Sequence, residues 1–171
     1  MTELRSLIRD IPDFPKRGIV FKDITPLLRD PDGFSAAISA MAKRVAQPEA
    51  VVAIESRGFV IGAGLALEWR VPFVPARKFG KLPGKTVREV YSLEYGEDTL
   101  EIHADALRPA QRVVIVDDLL ATGGTAAATA RLVERLEARV EALLFLVELT
   151  RLGGRAKLAG RRVESLIVFD G

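Results

Sequence analysis

The chain has 171 residues, 49% apolar and 28% charged, a composition that fits one water-soluble domain with a single hydrophobic core. Twenty-five basic residues against 23 acidic ones leave a net charge of +2, too little to argue for nucleic acid, and no apolar run reaches the roughly 18 residues of a membrane helix. With no cysteine and one histidine, His103, the sequence offers no disulfide, thiolate nucleophile or structural zinc site, and its N-terminus carries no secretory signal, so a cytoplasmic protein is expected.

No repeat, low-complexity tract or linker divides the chain, which reads as one domain over residues 1–171. Residues 3–10 have helical spacing and are closed by Pro12 and Pro15; RGIVFKDITPLL then suits a loop and a short extended piece. Residues 30–46 predict a helix, 50–55 a buried strand, 58–70 a helix and 71–77 a strand, with Trp69 and Phe73 assigned to the core. Residues 86–93 and 98–103 suit the two strands of a hairpin. RVVIVDD is a strand, 125–138 a helix, and 140–149 and 163–170 the last strands. Continuous Val, Ile and Leu strands alternating with helices imply an α/β fold whose mainly parallel sheet is covered on both faces. Ligands in such sheets gather beyond the carboxyl ends of the strands, which directs attention to ESRG, RKFGKLPGK and DDLLATGGT.

The richest of these is VVIVDDLLATGGT, residues 113–125. Asp117 and Asp118 stand where a buried strand emerges, and Ala121, Thr122, Gly123, Gly124 and Thr125 have so little bulk that backbone N–H groups can converge on an anion at the start of a helix. A plain strand-to-helix turn with solvated acids and a threonine cap is the alternative. The segment matches neither GxxxxGK[ST] nor GxGxxG, which argues against triphosphate and dinucleotide sites. Two carboxylates would repel a phosphate, so they need another part of the same ligand. Ribose hydroxyls, or a cation developing at C1, would satisfy them, and a ribose 5-phosphate fits both halves.

This stretch resembles the phosphoribosyl pyrophosphate (PRPP) motif of the type I phosphoribosyltransferases. PDFPKRGIVFKDITPLL, ESRGFVIGAGLA, RKFGKLPGKT and YSLEYG extend the resemblance, in the order and near the spacing found in the adenine phosphoribosyltransferases of that family. The resemblance implies a small N-terminal hood over about residues 1–28 and a mobile hairpin lid over about 77–96. It also implies transfer of ribose 5-phosphate from PRPP to adenine, yielding AMP and pyrophosphate, with Mg²⁺ carried mainly by PRPP and Asp117 and Asp118 near the metal. By the same resemblance Asp117 and Asp118 hold the ribose and stabilise the C1 cation, while residues 121–125 hold the 5′-phosphate.

Ser56 and Arg57 would form the pyrophosphate loop, with an unusual backbone at Glu55–Ser56. The run from Arg77 to Arg88 holds five bases and no acid. A solvated loop or a nucleic-acid patch is the usual meaning of such a run, but its glycines and Pro83, without aromatics for base stacking, suit a lid. Resemblance brings Arg77, Lys78 and Lys81 to pyrophosphate, some from a neighbouring subunit, hence a homodimer. Glu94 would exchange the adenine N7 proton and Tyr95 would touch the closed site. The backbone at Val20 and Lys22 would read the adenine edge beside Phe21, rejecting 6-oxopurines by about 10⁴. Lys22 stands where several members carry Arg, and Lys85 where some carry Pro. His103 lies outside every motif and is read as surface or packing. Two other readings are a transferase for xanthine or another 6-oxopurine, and a PRPP-sensing regulator without catalysis; only about ten residues precede PDFP, too few for an added DNA-binding domain.

Overall fold

A computed structural model of the chain describes residues 2–92 and 96–170. The first elements build a small unit apart from the main sheet. Helix α1 (Thr2–Ser6) leads into an antiparallel pair, β1 (Arg9–Pro12) and β2 (Val20–Asp23), with Asp10 opposite Lys22. Residues 9–12 are therefore a strand and not the end of a helix: their partner lies across a connecting loop, and cross-strand pairing overrides local spacing. Residues Thr25–Arg29, expected as loop, form helix α2, with a proline in the first turn where its missing N–H costs nothing. Helix α3 (Pro31–Ala42) is capped by Asp30, whose side chain accepts from the Gly33 amide at 2.7 Å, and it ends four residues short of expectation.

The rest of the chain alternates. In order come β3 (Ala50–Ile54), α4 (Arg57–Trp69), β4 (Phe73–Lys78), the hairpin β5 (Thr86–Ser92) and β6 (Glu97–His103), then β7 (Arg112–Leu120), α5 (Gly124–Arg135), β8 (Arg139–Leu149), two 3₁₀ turns and β9 (Val163–Phe169). They form one seven-stranded sheet in the order β5-β6-β4-β3-β7-β8-β9. Strands β4, β3, β7, β8 and β9 are parallel, whereas the hairpin joins the β4 edge antiparallel through Arg77–Glu101 and Lys78–Leu100. The expected hairpin thus extends the main sheet.

Both faces are covered. On one, Ile61, Leu65 and Trp69 of α4 pack on Val114 and Val116; on the other, Leu132 and Val133 of α5 pack on Ile115 and Phe145. Each large side chain buried in this way contributes about 1.5–3 kcal/mol. Phe73, assigned to the core from sequence, is instead 37% exposed at the sheet rim, edge-on to Phe59 at 5.7 Å. Among the described residues no helix is long and apolar enough to cross a membrane.

The topology fixes where a ligand can sit. From β3 the chain crosses through α4 to β4 on one side, and from β7 through α5 to β8 on the other. The order reverses between β3 and β7, and a crevice opens there beyond their carboxyl ends.

Candidate active site

Two helix N-termini converge on that crevice. After β3 the Glu55–Ser56 peptide is cis, and α4 begins at Arg57 with Ser56 as N-cap. After β7, α5 begins at Gly124, and its N-cap Gly123 has φ +78°, a conformation open to glycine but strained for a residue with a Cβ. No side chain caps either helix, so their first amides and positive ends remain for an outside acceptor. Residues 121–125 line a small cavity of about 80 Å³. The Thr125 hydroxyl does not serve as a cap; it donates to the Tyr91 hydroxyl at 3.5 Å.

Asp117 and Asp118 lie between these ends. The acids lie in the strand as expected, and β7 continues two residues beyond them to Leu120. Both side chains face the first turn of α4, Asp117 at Gly58 and Asp118 at Arg57, and both line the same cavity. Asp117 Oδ1 accepts from the Asp118 amide at 2.9 Å and lies against α4, where a Cβ on Gly58 would come within 2.7 Å of it. Gly58 is what allows the first turn of α4 to reach Asp117. Burial, followed by the charge of Asp118, pushes the Asp117 carboxyl well above the usual carboxylate range. Burial also pushes the 5% exposed Asp118 up, while Arg57 pulls against it. Asp118 Oδ2 lies 2.9 Å from Arg57 Nε, without the alignment of a hydrogen bond, and among the described residues it is the buried side-chain oxygen that no donor satisfies.

The cations expected around the leaving group are present, and three of them are already held by acids. Arg57 faces Asp118. Arg77 reaches Glu55 through Nη2 at 3.0 Å and Nε at 3.3 Å, and its Nη1 donates to the Lys81 carbonyl. Lys78 Nζ lies 3.2 Å from Asp98, and its backbone amide donates to Glu55. Lys81 is tied through its main chain: its amide and that of Leu82 donate to Glu101, which is 1% exposed. Ser56, Arg57, Lys78, Asp98, Asp117 and Thr125 share the wall of one cavity of about 390 Å³.

The hood approaches the site through Phe21. Phe21 presents its ring to the Arg57 guanidinium at 4.8 Å and meets Phe14 edge-on at 5.2 Å. Lys22, one residue on, points the other way: its buried ammonium binds Asp10 at 2.6 Å and sits over the Phe169 ring at 4.2 Å. Its side chain is committed to the fold, which leaves only its backbone for a ligand. Val20 is half exposed beside it. Glu94 and Tyr95 lie outside the described residues.

The sequence reading missed Glu55, Tyr91 and Asp98 as cavity residues. Glu55 could have been found as the acid that ends a wholly apolar strand. Tyr91 and Asp98 face each other across the hairpin, a juxtaposition that requires knowing its register. Among the described residues no cluster of three or more His, Cys, Asp or Glu side chains could cage a metal unaided. The two adjacent carboxylates, one with an unsatisfied oxygen, instead suit a hard cation that arrives with phosphate oxygens as its other ligands.

The model of the phosphoribosyl transferase domain matches residues 23–160. The adenine phosphoribosyltransferase of Carboxydothermus hydrogenoformans is 56% identical over 169 residues, covering 98% of this chain and 99% of that one. A crystal structure of the Thermoanaerobacter pseudethanolicus enzyme of the same name superposes with a TM-score of 0.95 at 54% identity, covering 98% and 99% of the two chains. The Saccharomyces cerevisiae enzyme, solved with an imino-altritol 1,6-bisphosphate and adenine, gives 0.90 at 42% identity over 95% of each chain. By the match over residues 23–160 and more than half of its residues shared along the full length of such relatives, the chain belongs to the phosphoribosyltransferase family, in its adenine phosphoribosyltransferase branch.

Proposed function

We infer that this chain transfers 5-phosphoribose from PRPP to adenine, giving AMP and pyrophosphate in purine salvage. The observation that carries the reading is the placement of two uncapped helix N-termini on either side of Asp117 and Asp118. PRPP has two anionic ends with a ribose between them, and this crevice offers two anion acceptors with acids between them.

In the reaction the C1–O bond breaks and its electron pair leaves with pyrophosphate, while adenine N9 forms the new bond to C1. The 121–125 cradle holds the 5′-phosphate still through main-chain donors. Asp117 and Asp118 accept from the ribose hydroxyls and stabilise positive charge developing at C1. Ser56, Arg57, Arg77, Lys78 and Lys81 receive the leaving pyrophosphate. Asp117 and Asp118 would also hold Mg²⁺, directly or through water; when bound, that ion neutralises charge on the pyrophosphate. On the hood, the Val20 carbonyl accepts from the adenine amino group and the Lys22 amide donates to N1, with Phe21 in the apolar wall. A 6-oxopurine would leave both groups unpaired. Glu94 takes the N7 proton as N9 attacks, and Tyr95 closes over the site with the basic loop.

A homodimer completes the reading. Val60, Ala63 and Leu67 form an exposed stripe along α4, and Leu67 is 80% exposed. The resemblance implies a homodimer, and a second copy is the partner proposed for this face.

The decisive experiment is pyrophosphate release with PRPP, Mg²⁺ and each purine base. Turnover of adenine with at least a thousandfold preference over hypoxanthine, guanine and xanthine is expected, together with near-complete loss in Asp118→Asn and Glu94→Gln. Activity on a 6-oxopurine alone would refute the substrate, and full activity of Glu94→Gln would refute its proton-transfer role.

A further inference from the structure

The cavity that must take a highly charged leaving group contains an acid with no part in the chemistry above. Asp98, on β6, lines the cavity wall opposite Tyr91. Its orientation is fixed: Oδ1 accepts from the Thr99 amide at 2.8 Å, and Oδ2 accepts from the Tyr91 hydroxyl at 3.4 Å. Although burial pushes its carboxyl up, the Thr99 amide and Lys78 outweigh this and hold it below the usual carboxylate range. It is therefore an anion at neutral pH. The cation it faces, Lys78, has a flexible stem and a side chain that is 60% exposed, so its ammonium can swing between partners.

A pyrophosphate that takes Lys78 must draw the ammonium away from Asp98 and then lie close to the bared carboxylate. An acid that only positioned the lysine would sit behind it, away from the ligand. Asp98 sits in the ligand's own cavity, and both effects weaken binding. We propose that Asp98 competes with pyrophosphate for Lys78 and so hastens release of the leaving group. The proposal rests on reading Lys78 as a pyrophosphate-binding cation. Its expected size is about three- to tenfold in affinity, somewhat above the roughly fivefold limit of an exposed surface pair because the Asp98 side chain is only 22% exposed.

The test is calorimetric titration of the full chain with pyrophosphate in the presence of magnesium, and separately with ribose 5-phosphate. Asp98→Asn is expected to tighten pyrophosphate three- to tenfold, to lower its product-inhibition constant by the same factor, and to leave ribose 5-phosphate within twofold. Glu97→Gln removes an equal charge from the neighbouring exposed residue and is expected to change pyrophosphate affinity less than twofold. Should Asp98→Asn fail to fold, Asp98→Ser gives the same reading with a shorter polar side chain. Pyrophosphate bound equally or more weakly by the Asp98 variant, or tightened as much by Glu97→Gln, would overturn the proposal. Lys78→Met separates the two levels of inference. It should weaken pyrophosphate severalfold; if it does not, the assignment of Lys78 itself fails, whatever Asp98→Asn does.

Discussion

Gly58 shows how closely the site is packed. A methyl group there would meet Asp117 Oδ1 at 2.7 Å and the Val116 carbonyl oxygen at 3.2 Å, and neither the strand backbone nor a buried carboxyl can retreat cheaply. Gly58→Ala is expected to cost about 1–3 kcal/mol of stability by overpacking and to lower turnover at least tenfold by moving Asp117; thermal melts and steady-state rates measure both. Asp117 itself is costly to the fold, because burial and the adjacent Asp118 disfavour its charge. Asp117→Asn keeps an oxygen that can accept the Asp118 amide and removes the charge. It should raise the melting temperature by roughly 2–4 °C, about 1 kcal/mol, while activity falls by orders of magnitude. A variant both less stable and still active would contradict this account. The two acids were legible in the sequence because adjacent charges after an apolar run are conspicuous. Asp98 was not, because an acid in a hairpin looks the same whether it faces water or a cavity.

At the scale of elements, Asp23 joins the hood hairpin to α2. Its carboxylate accepts from the Thr25 amide at 2.9 Å, from the Thr25 hydroxyl at 2.9 Å, and from Arg9 Nη2 at 2.6 Å. The Thr25 amide, then Arg9, lower its pKa from 3.8 to about 2. A carboxyl depressed on folding adds stability above its unfolded pKa, and that stability is lost as pH falls through the folded one. Asp23→Asn should therefore cost about 1–2 kcal/mol at pH 7, discounted for the exposed Arg9 partner, with the difference from the unaltered chain closing between about pH 4 and pH 2. Denaturant titrations at pH 7 and pH 3 would show it; a cost that does not depend on pH would mean that shape, not charge, holds the junction. Elements defined by their own residues were legible. Strands β3, β7 and β8 carry continuous apolar runs because both their faces are buried there, and α5 announces itself through alanines after Gly123. Elements defined by a distant partner were not. Strand β1 exists only by pairing with β2, and α2, at five residues, is too short for periodicity to register.

At the scale of the molecule, the reversal of strand order between β3 and β7 sends α4 and α5 to opposite faces of the sheet while their N-termini meet at one crevice. The same arrangement has a consequence for assembly. Helix α4 uses one side for the sheet, where Ile61, Leu65 and Trp69 are buried, and turns Val60, Ala63 and Leu67 outward. Leu67 at 80% and Val60 at 43% exposure are not what a helix facing only water would carry. The N-terminus of this helix is the end of the crevice proposed for pyrophosphate, and Arg77 reaches back to the Phe59 ring at 5.9 Å, so burying the stripe against a second copy would brace the loop proposed to hold the leaving group. Light scattering is expected to give twice the mass of the chain at micromolar concentration. Leu67→Glu places a charge in the middle of the stripe and should shift the mass to that of one chain. If bracing matters, the monomer would keep its affinity for ribose 5-phosphate, held by α5, while losing at least tenfold in affinity for pyrophosphate. A Leu67→Glu chain that stays dimeric would move the interface elsewhere, and a monomer with unaltered pyrophosphate affinity would uncouple assembly from the site.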